Sequence, residues 1–180
     1  MNPDKVGIKK AERLLKEIPN GSKRAVTNAT NRALTKGRMT VNKDIREKFT
    51  IKATPVKESL KIYKANFSRL NGKVEVKSPV TMLNNFKFSP RKRTKKPKDV
   101  YAEIIKGQKK RIPHAYLSSL GGQTIIVARL GKERTPNRML TGPSIPYMAK
   151  ETDISDHVQK EMLDVFNTRL NHEIKRILSK

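Results

Sequence analysis

His114, His157 and His172 are the only imidazoles in the chain, and there is no cysteine. Metal ligation or base catalysis would have to begin from these three. His157 and His172 fall fifteen residues apart on what reads as one helix, about 22 Å at helical rise and too far to share a metal. Glu161 and Asp164 are neighbours on the same helix and read as a solvated face. Gly121-Gly122 lacks the Lys-Ser/Thr that completes a phosphate-binding loop. Asp44, Glu47 and a lysine are the raw material of a nuclease, without further marks of one. The chain therefore reads as a non-enzyme with no cofactor and no metal. Without cysteine, neither a disulfide framework nor a thiolate nucleophile can form.

The chemistry that remains is electrostatic. The 180 residues carry 41 Lys and Arg against 16 Asp and Glu, a net charge of +25. Such a surface repels itself and favours polyanions. The excess is uneven: +9 over residues 1–58, +17 over 59–150 and −1 over 151–180. Arg91, Lys92, Arg93, Lys95, Lys96 and Lys98 put six charges into eight residues, with Pro90 before the run and Pro97 near its end. With Lys109, Lys110 and Arg111 they are the candidate contacts to a DNA backbone, made without sequence preference. A solvated basic surface that aids solubility is the plainer alternative. Basic and aromatic residues also alternate at Lys61, Tyr63, Lys64, Phe67 and Arg69, as in single-strand binders that stack bases.

The elements that must position these residues are a mixture. Residues 4–17 read as a short amphipathic helix with Val6, Ile8, Leu14, Leu15 and Ile18 as apolar positions, ended by Pro19-Asn20-Gly21. Ser22 then caps a long helix to about Phe49. From there the period becomes two. Leu60–Leu70 and Lys73–Ser78 read as a hairpin closed on Asn71-Gly72, which sets Phe67 opposite Val76. Tyr63, Ala65, Phe67, Val74 and Val76 then share one face, which favours core packing over base stacking for the two rings. Residues 84–98 read as an exposed loop, Val100–Ile105 as a strand, and Gly107–Arg111 as a basic turn. Thr124–Leu130, with Ile125, Ile126 and Val127 consecutive, reads as a strand buried on both faces. The last helix, 153–178, starts at Asp153 as N-cap and carries one apolar stripe from Ile154 to Leu178. The expectation is a single α+β domain. A twisted, mainly antiparallel sheet over 50–130 is flanked by the helices at 22–49 and 153–178, with residues 1–20 as an N-terminal helix. No apolar run approaches membrane-spanning length, and the N-terminus lacks a secretory apolar region.

In the long helix, Ala25, Ala29, Ala33, Gly37, Val41, Ile45 and Phe49 recur every four residues. The small first half admits another backbone closely. That backbone belongs either to a second subunit or to another helix of the same chain. Only 35% of residues are hydrophobic and Trp is absent, a lean core that predicts burial against neighbouring subunits.

Three stretches together resemble the phage minor tail protein Z family and related tail-completion proteins. The first is Asn28-Ala29-Thr30-Asn31-Arg32-Ala33, with the helix end Arg46-Glu47-Lys48-Phe49 and Ile51. The second is Lys109–Leu117, with its Ala115-Tyr116 pair. The third is Val127–Met148, containing Gly142-Pro143-Ser144-Ile145-Pro146. The resemblance implies a structural virion protein, made in the bacterial cytoplasm, that acts late in tail assembly at the head–tail junction and in DNA positioning or passage. It implies tail-terminator, tail-tube and head-completion proteins as partners. It also implies self-assembly into a ring, hexameric by analogy with neighbouring tail components, around viral DNA. A free-standing nucleic-acid-binding protein is the alternative.

Overall fold

The computed structural model describes residues 5–93, 99–131, 133 and 135–179. Among these the fold is α+β, with five helices and three small antiparallel sheets. The single sheet expected over 50–130 is thus divided. Its strands are three to seven residues long, and none runs on to join its neighbours into a continuous ladder.

The chain gathers into two compact units. The first comprises Met1–Lys43, Leu60–Val76 and Ala149–Lys180. It holds α1 (Lys5–Leu14), most of α2 (Gly21–Lys48), the hairpin β1 (Leu60–Tyr63) with β2 (Lys73–Val76), and α5 (Thr152–Leu178). Its core joins Ala11 and Leu15 with Ala25, Val26, Ala29 and Ala33 of α2 and Phe166, Leu170 and Ile174 of α5. Ile8 and Ala11 of α1, with Leu15 and Ile18 in the turn after it, face this core. Val6 and Leu14, expected inside, are exposed, because α1 presents only one narrow face inward. Arg24 donates its N–H to the carbonyl of Asn20, so α2 starts at Gly21, one residue before Ser22. Asn20 takes the turn between the helices at φ 56°, a left-handed conformation that asparagine tolerates. Glu151, not Asp153, occupies the N-cap of α5 and gives no side-chain cap; Asp153 lies in the first turn. There its charge still complements the helix dipole. The apolar stripe of α5 is buried from Ile154 to Ile174, while Leu178 is exposed at the end.

The hairpin does not close on Asn71-Gly72. Its register pairs Leu60 with Val76, Ile62 with Val74, and Tyr63 with Lys73. Leu60, Ile62, Val74 and Val76 therefore share a face, and residues 64–72 form a loop. Two interactions explain the change. Asn31 on α2 clamps Ala65: its Oδ1 accepts from the Ala65 N–H at 2.8 Å, and its Nδ2 donates to the Ala65 carbonyl at 3.1 Å. Gly72 passes so close to Leu34 and the Tyr63 carbonyl that a Cβ there would fall 2.5 and 2.6 Å from them. The glycine serves a close approach rather than a tight turn. The loop makes its own turn from Asn66 to Arg69, whose N–H donates to Asn66 Oδ1 at 2.7 Å. Asn31→Ala leaves both Ala65 backbone groups without their partner and is expected to cost about 2 kcal/mol. It should also open 64–72 to proteases. A urea melt and limited digestion indistinguishable from wild type would contradict the clamp.

The second unit comprises Asp44–Ser59 and Lys77–Met148. It contains α3 (Ala53–Ser59), the sheet β3–β4–β5 (Lys87–Ser89, Val100–Glu103, Lys109–Ile112), the sheet β6–β7–β8 (Ala115–Leu120, Gln123–Arg129, Asn137–Met139) and α4 (Ile145–Ala149), whose last residue lies in the first unit. Two segments expected as loop or turn are ordered. Residues 83–89 contain a 3-10 turn, Leu83–Asn85, and β3; Leu83 and Phe86 are buried. Lys109–Ile112 is a strand because it pairs with β4, although all three of its cations face solvent. Gly121-Gly122, at φ 55° and 77°, closes β6 onto β7 with Leu120 opposite Gln123. This is the two-residue hairpin that Asn71-Gly72 does not make. Ile126 and Val127 of β7 are buried.

Gly142-Pro143-Ser144-Ile145-Pro146 locks this core. A Cβ on Gly142 would lie 2.6 Å from the Phe86 ring, so only glycine lets the chain pass. Its N–H donates to the Thr81 carbonyl at 2.8 Å, and Ile145 and Met148 beyond it are buried. The most distinctive motif in the sequence is thus a packing element.

Candidate nucleic-acid interface

Arg91, Lys92 and Arg93 are all exposed, following Pro90 at the end of β3. Lys95, Lys96 and Lys98 lie outside the described residues. Lys109, Lys110 and Arg111 do not act as one cluster. Register places Lys87, Glu103 and Lys109 in one row and Ser89, Tyr101 and Arg111 in the next. These six share one face of the sheet. Lys110 stands on the other, in the row of Phe88 and Ala102.

The shared face is partly self-neutralised. Lys87 pairs with Glu103 at 2.8 Å and Arg111 with Asp99 at 2.9 Å. The Lys109 ammonium sits over the Tyr101 ring, 5.0 Å from its centroid, a weakly attractive placement. The hydrogen bond from Lys87, followed by that from the Gly107 N–H at 2.9 Å, holds the Glu103 carboxyl below its ordinary pKa. Glu103 therefore stays ionised and engaged near neutral pH.

Arg91 opens onto a groove of about 1050 Å³ whose other cations are Arg46, Lys52, Lys87 and Lys106. Sequence reading missed Arg46, Lys52 and Lys106. Each stands outside the dense basic runs, and only the topology gathers them. The frame is built from backbone. Thr50 donates its N–H to the Ile104 carbonyl at 2.9 Å, Lys106 donates to Lys48 at 3.0 Å and Lys52 to Asn85 at 2.9 Å. The Thr50 hydroxyl donates to the Glu103 carbonyl and accepts from the Lys87 N–H.

The small-residue stripe is placed differently. Ala25, Ala29 and Ala33 are fully buried against Phe166, Leu170 and Ile174 of the same chain. A Cβ on Gly37 would collide with Met162. In this chain the stripe is buried in one cluster with residues of the N-terminal segment and of α5.

The rings at 63 and 67 are not in the core. Phe67 is 55% exposed and Tyr63 40% exposed. Tyr63 is held by Glu75 at 3.1 Å and lies under Lys73. No group of three or more His, Asp or Glu residues able to hold a metal occurs among the described residues. Among them, too, no helix is long and apolar enough to cross a membrane.

Searches of the curated proteins and of the solved structures return no match. A family model described as prophage minor tail protein Z matches residues 6–180, nearly the whole chain, and the protein belongs to that family of phage tail structural proteins.

Proposed function

We propose that this tail protein acts in tail completion at the head–tail junction, contacting viral DNA without sequence preference as the DNA is positioned or passed. Tail-terminator, tail-tube and head-completion proteins are the partners in this reading. The protein is made in the host cytoplasm and joins the virion as a ring, with six copies as the leading count. The small-residue stripe is occupied inside the chain, so contacts between copies fall on other surfaces. The observation that carries the DNA part is the exposed run Arg91-Lys92-Arg93, within the segment of greatest positive excess. The family membership supports the tail part.

Arg91→Gln, Lys92→Gln and Arg93→Gln together should flatten the slope of log affinity against log salt for duplex DNA by up to ~2.7, at ~0.9 per phosphate contact. The melt should be unchanged, since the side chains are exposed. In particles, the triple variant should impair DNA retention or ejection more than tail assembly. An unchanged salt slope would assign this charge to protein docking instead.

Exposed Phe67 beside Lys64 and Arg69 favours a second reading, a free-standing nucleic-acid-binding protein that stacks bases. Finding the chain in purified virions would exclude that reading; its absence there would favour it.

A further inference from the structure

We infer that the groove in the second unit is a binding site for the phosphate backbone of nucleic acid, and that it holds the DNA more than the outer β5 strand does. This rests on the DNA contact proposed above and assigns it to residues. Five cations, Arg46, Lys52, Lys87, Arg91 and Lys106, line the groove against one carboxylate, Glu103. Glu103 is already engaged, by Lys87 at 2.8 Å and by the Gly107 N–H at 2.9 Å. It therefore offers little repulsion to an incoming phosphate. Arg46, Lys52, Arg91 and Lys106 have no carboxylate partner among the described residues. On β5, by contrast, Arg111 is paired to Asp99 and Lys109 lies on Tyr101. Lys110, on the opposite face of the sheet, is the one β5 cation without a partner among the described residues, so four such cations converge on the groove against one on the strand.

The lining chemistry favours phosphates over an acidic peptide. Of its apolar lining, Phe49, Ile51 and Phe86 are buried and only Pro55 and Phe88 are partly exposed, which leaves few anchor sites for a peptide side chain. The groove instead presents cations together with the amides of Asn85 and Gln123, which donate to phosphate oxygens. Backbone bonds fix the three segments that carry Lys52, Lys87 and Lys106. Little ordering is then needed on binding, which preserves affinity.

The test measures salt dependence of binding to a short mixed-sequence duplex for three proteins. These are wild type, the groove triple Arg46→Gln/Lys52→Gln/Lys106→Gln, and the strand pair Lys109→Gln/Lys110→Gln. The triple should flatten the slope by ~2.7, and the pair by well under its ~1.8 maximum. The single changes Lys52→Gln and Lys106→Gln should each remove ~0.9, which keeps the test open should the triple fold poorly. If wild type binds with a steep slope and the groove variants keep it, the groove assignment is wrong while DNA contact stands. If wild type shows no salt-dependent binding, the DNA reading itself falls. Polyglutamate is the second probe. Loss of polyglutamate binding in the triple, with duplex binding intact, would make the groove a docking site for an acidic protein and overturn the inference.

Discussion

Phe166→Ala is expected to lower the unfolding free energy by about 3–5 kcal/mol, the range for truncating a fully buried phenylalanine. Phe166 is completely buried in the core of the first unit, where four of its eight buried neighbours are alanines. A core of alanines gains little from each residue, so the ring supplies an unusual share of the buried apolar area. The cavity would also persist. Alanine side chains have no rotamers with which to fill it. Chemical denaturation followed by circular dichroism reads the change directly. A midpoint equal to wild type would mean that Phe166 is not where the core is held. Because the chain forms two compact units, the loss should appear first in the transition that reports helix, since α2 and α5 are the longest elements.

Long periodic elements were legible because one face decides them. The stripe from Ala25 to Phe49 and the stripe from Ile154 to Ile174 each follow a helical repeat, and burial follows that repeat. β7 was legible from its apolar run for the same reason. Failures came where a distant partner decides a local conformation. Asn71-Gly72 has the composition of a hairpin turn, but Asn31, forty residues earlier in the chain, captures Ala65 and moves the register. Lys109–Ile112 has the composition of a solvated turn, and only the free edge of β4 makes it a strand. Leu83 and Phe86 were hidden among Asn, Lys and Ser; the Phe86 ring packs on Gly142 and the Leu83 N–H donates to the Leu140 carbonyl, both nearly sixty residues later. The two units are assembled from discontinuous segments; the charge changes near residues 59 and 150 fall beside two of their borders but do not reveal which segments regroup.

The candidate site divides along the same line. A dense run such as Arg91–Arg93 announces itself. Arg46, Lys52 and Lys106 do not, because each is an ordinary surface cation until Thr50 and Lys106 tie their segments to β4 and α2. Conversely, density overstated Lys109–Arg111. The pleat of β5 splits these cations between two faces, and Asp99 takes up one of them.

Ala29→Leu separates a fold element from an assembly surface, and its expected result is loss of stability in the isolated chain. Ala29 is fully buried where α2 meets α5. Three more carbons there must push the helices apart or force neighbouring side chains off their rotamers, at a cost of about 1–3 kcal/mol or more. Gly37→Ala provides the control. Its new Cβ would fall 2.4 Å from Met162 Sδ and 2.7 Å from Met162 Cγ, so that single unbranched side chain must shift, while alanine favours the helix by about 1 kcal/mol over glycine. The two effects oppose, so that change should be far milder. The decisive feature is concentration dependence. A cost inside one chain is the same at every protein concentration, whereas a cost at a subunit contact diminishes as concentration rises. Melts of Ala29→Leu across a range of concentrations, with mass photometry of the same samples, therefore read the stripe's partner. A constant deficit identifies α5 of the same chain. A variant that melts like wild type as a monomer but fails to assemble would instead return the stripe to the interface between subunits, and would contradict the packing seen in the first unit.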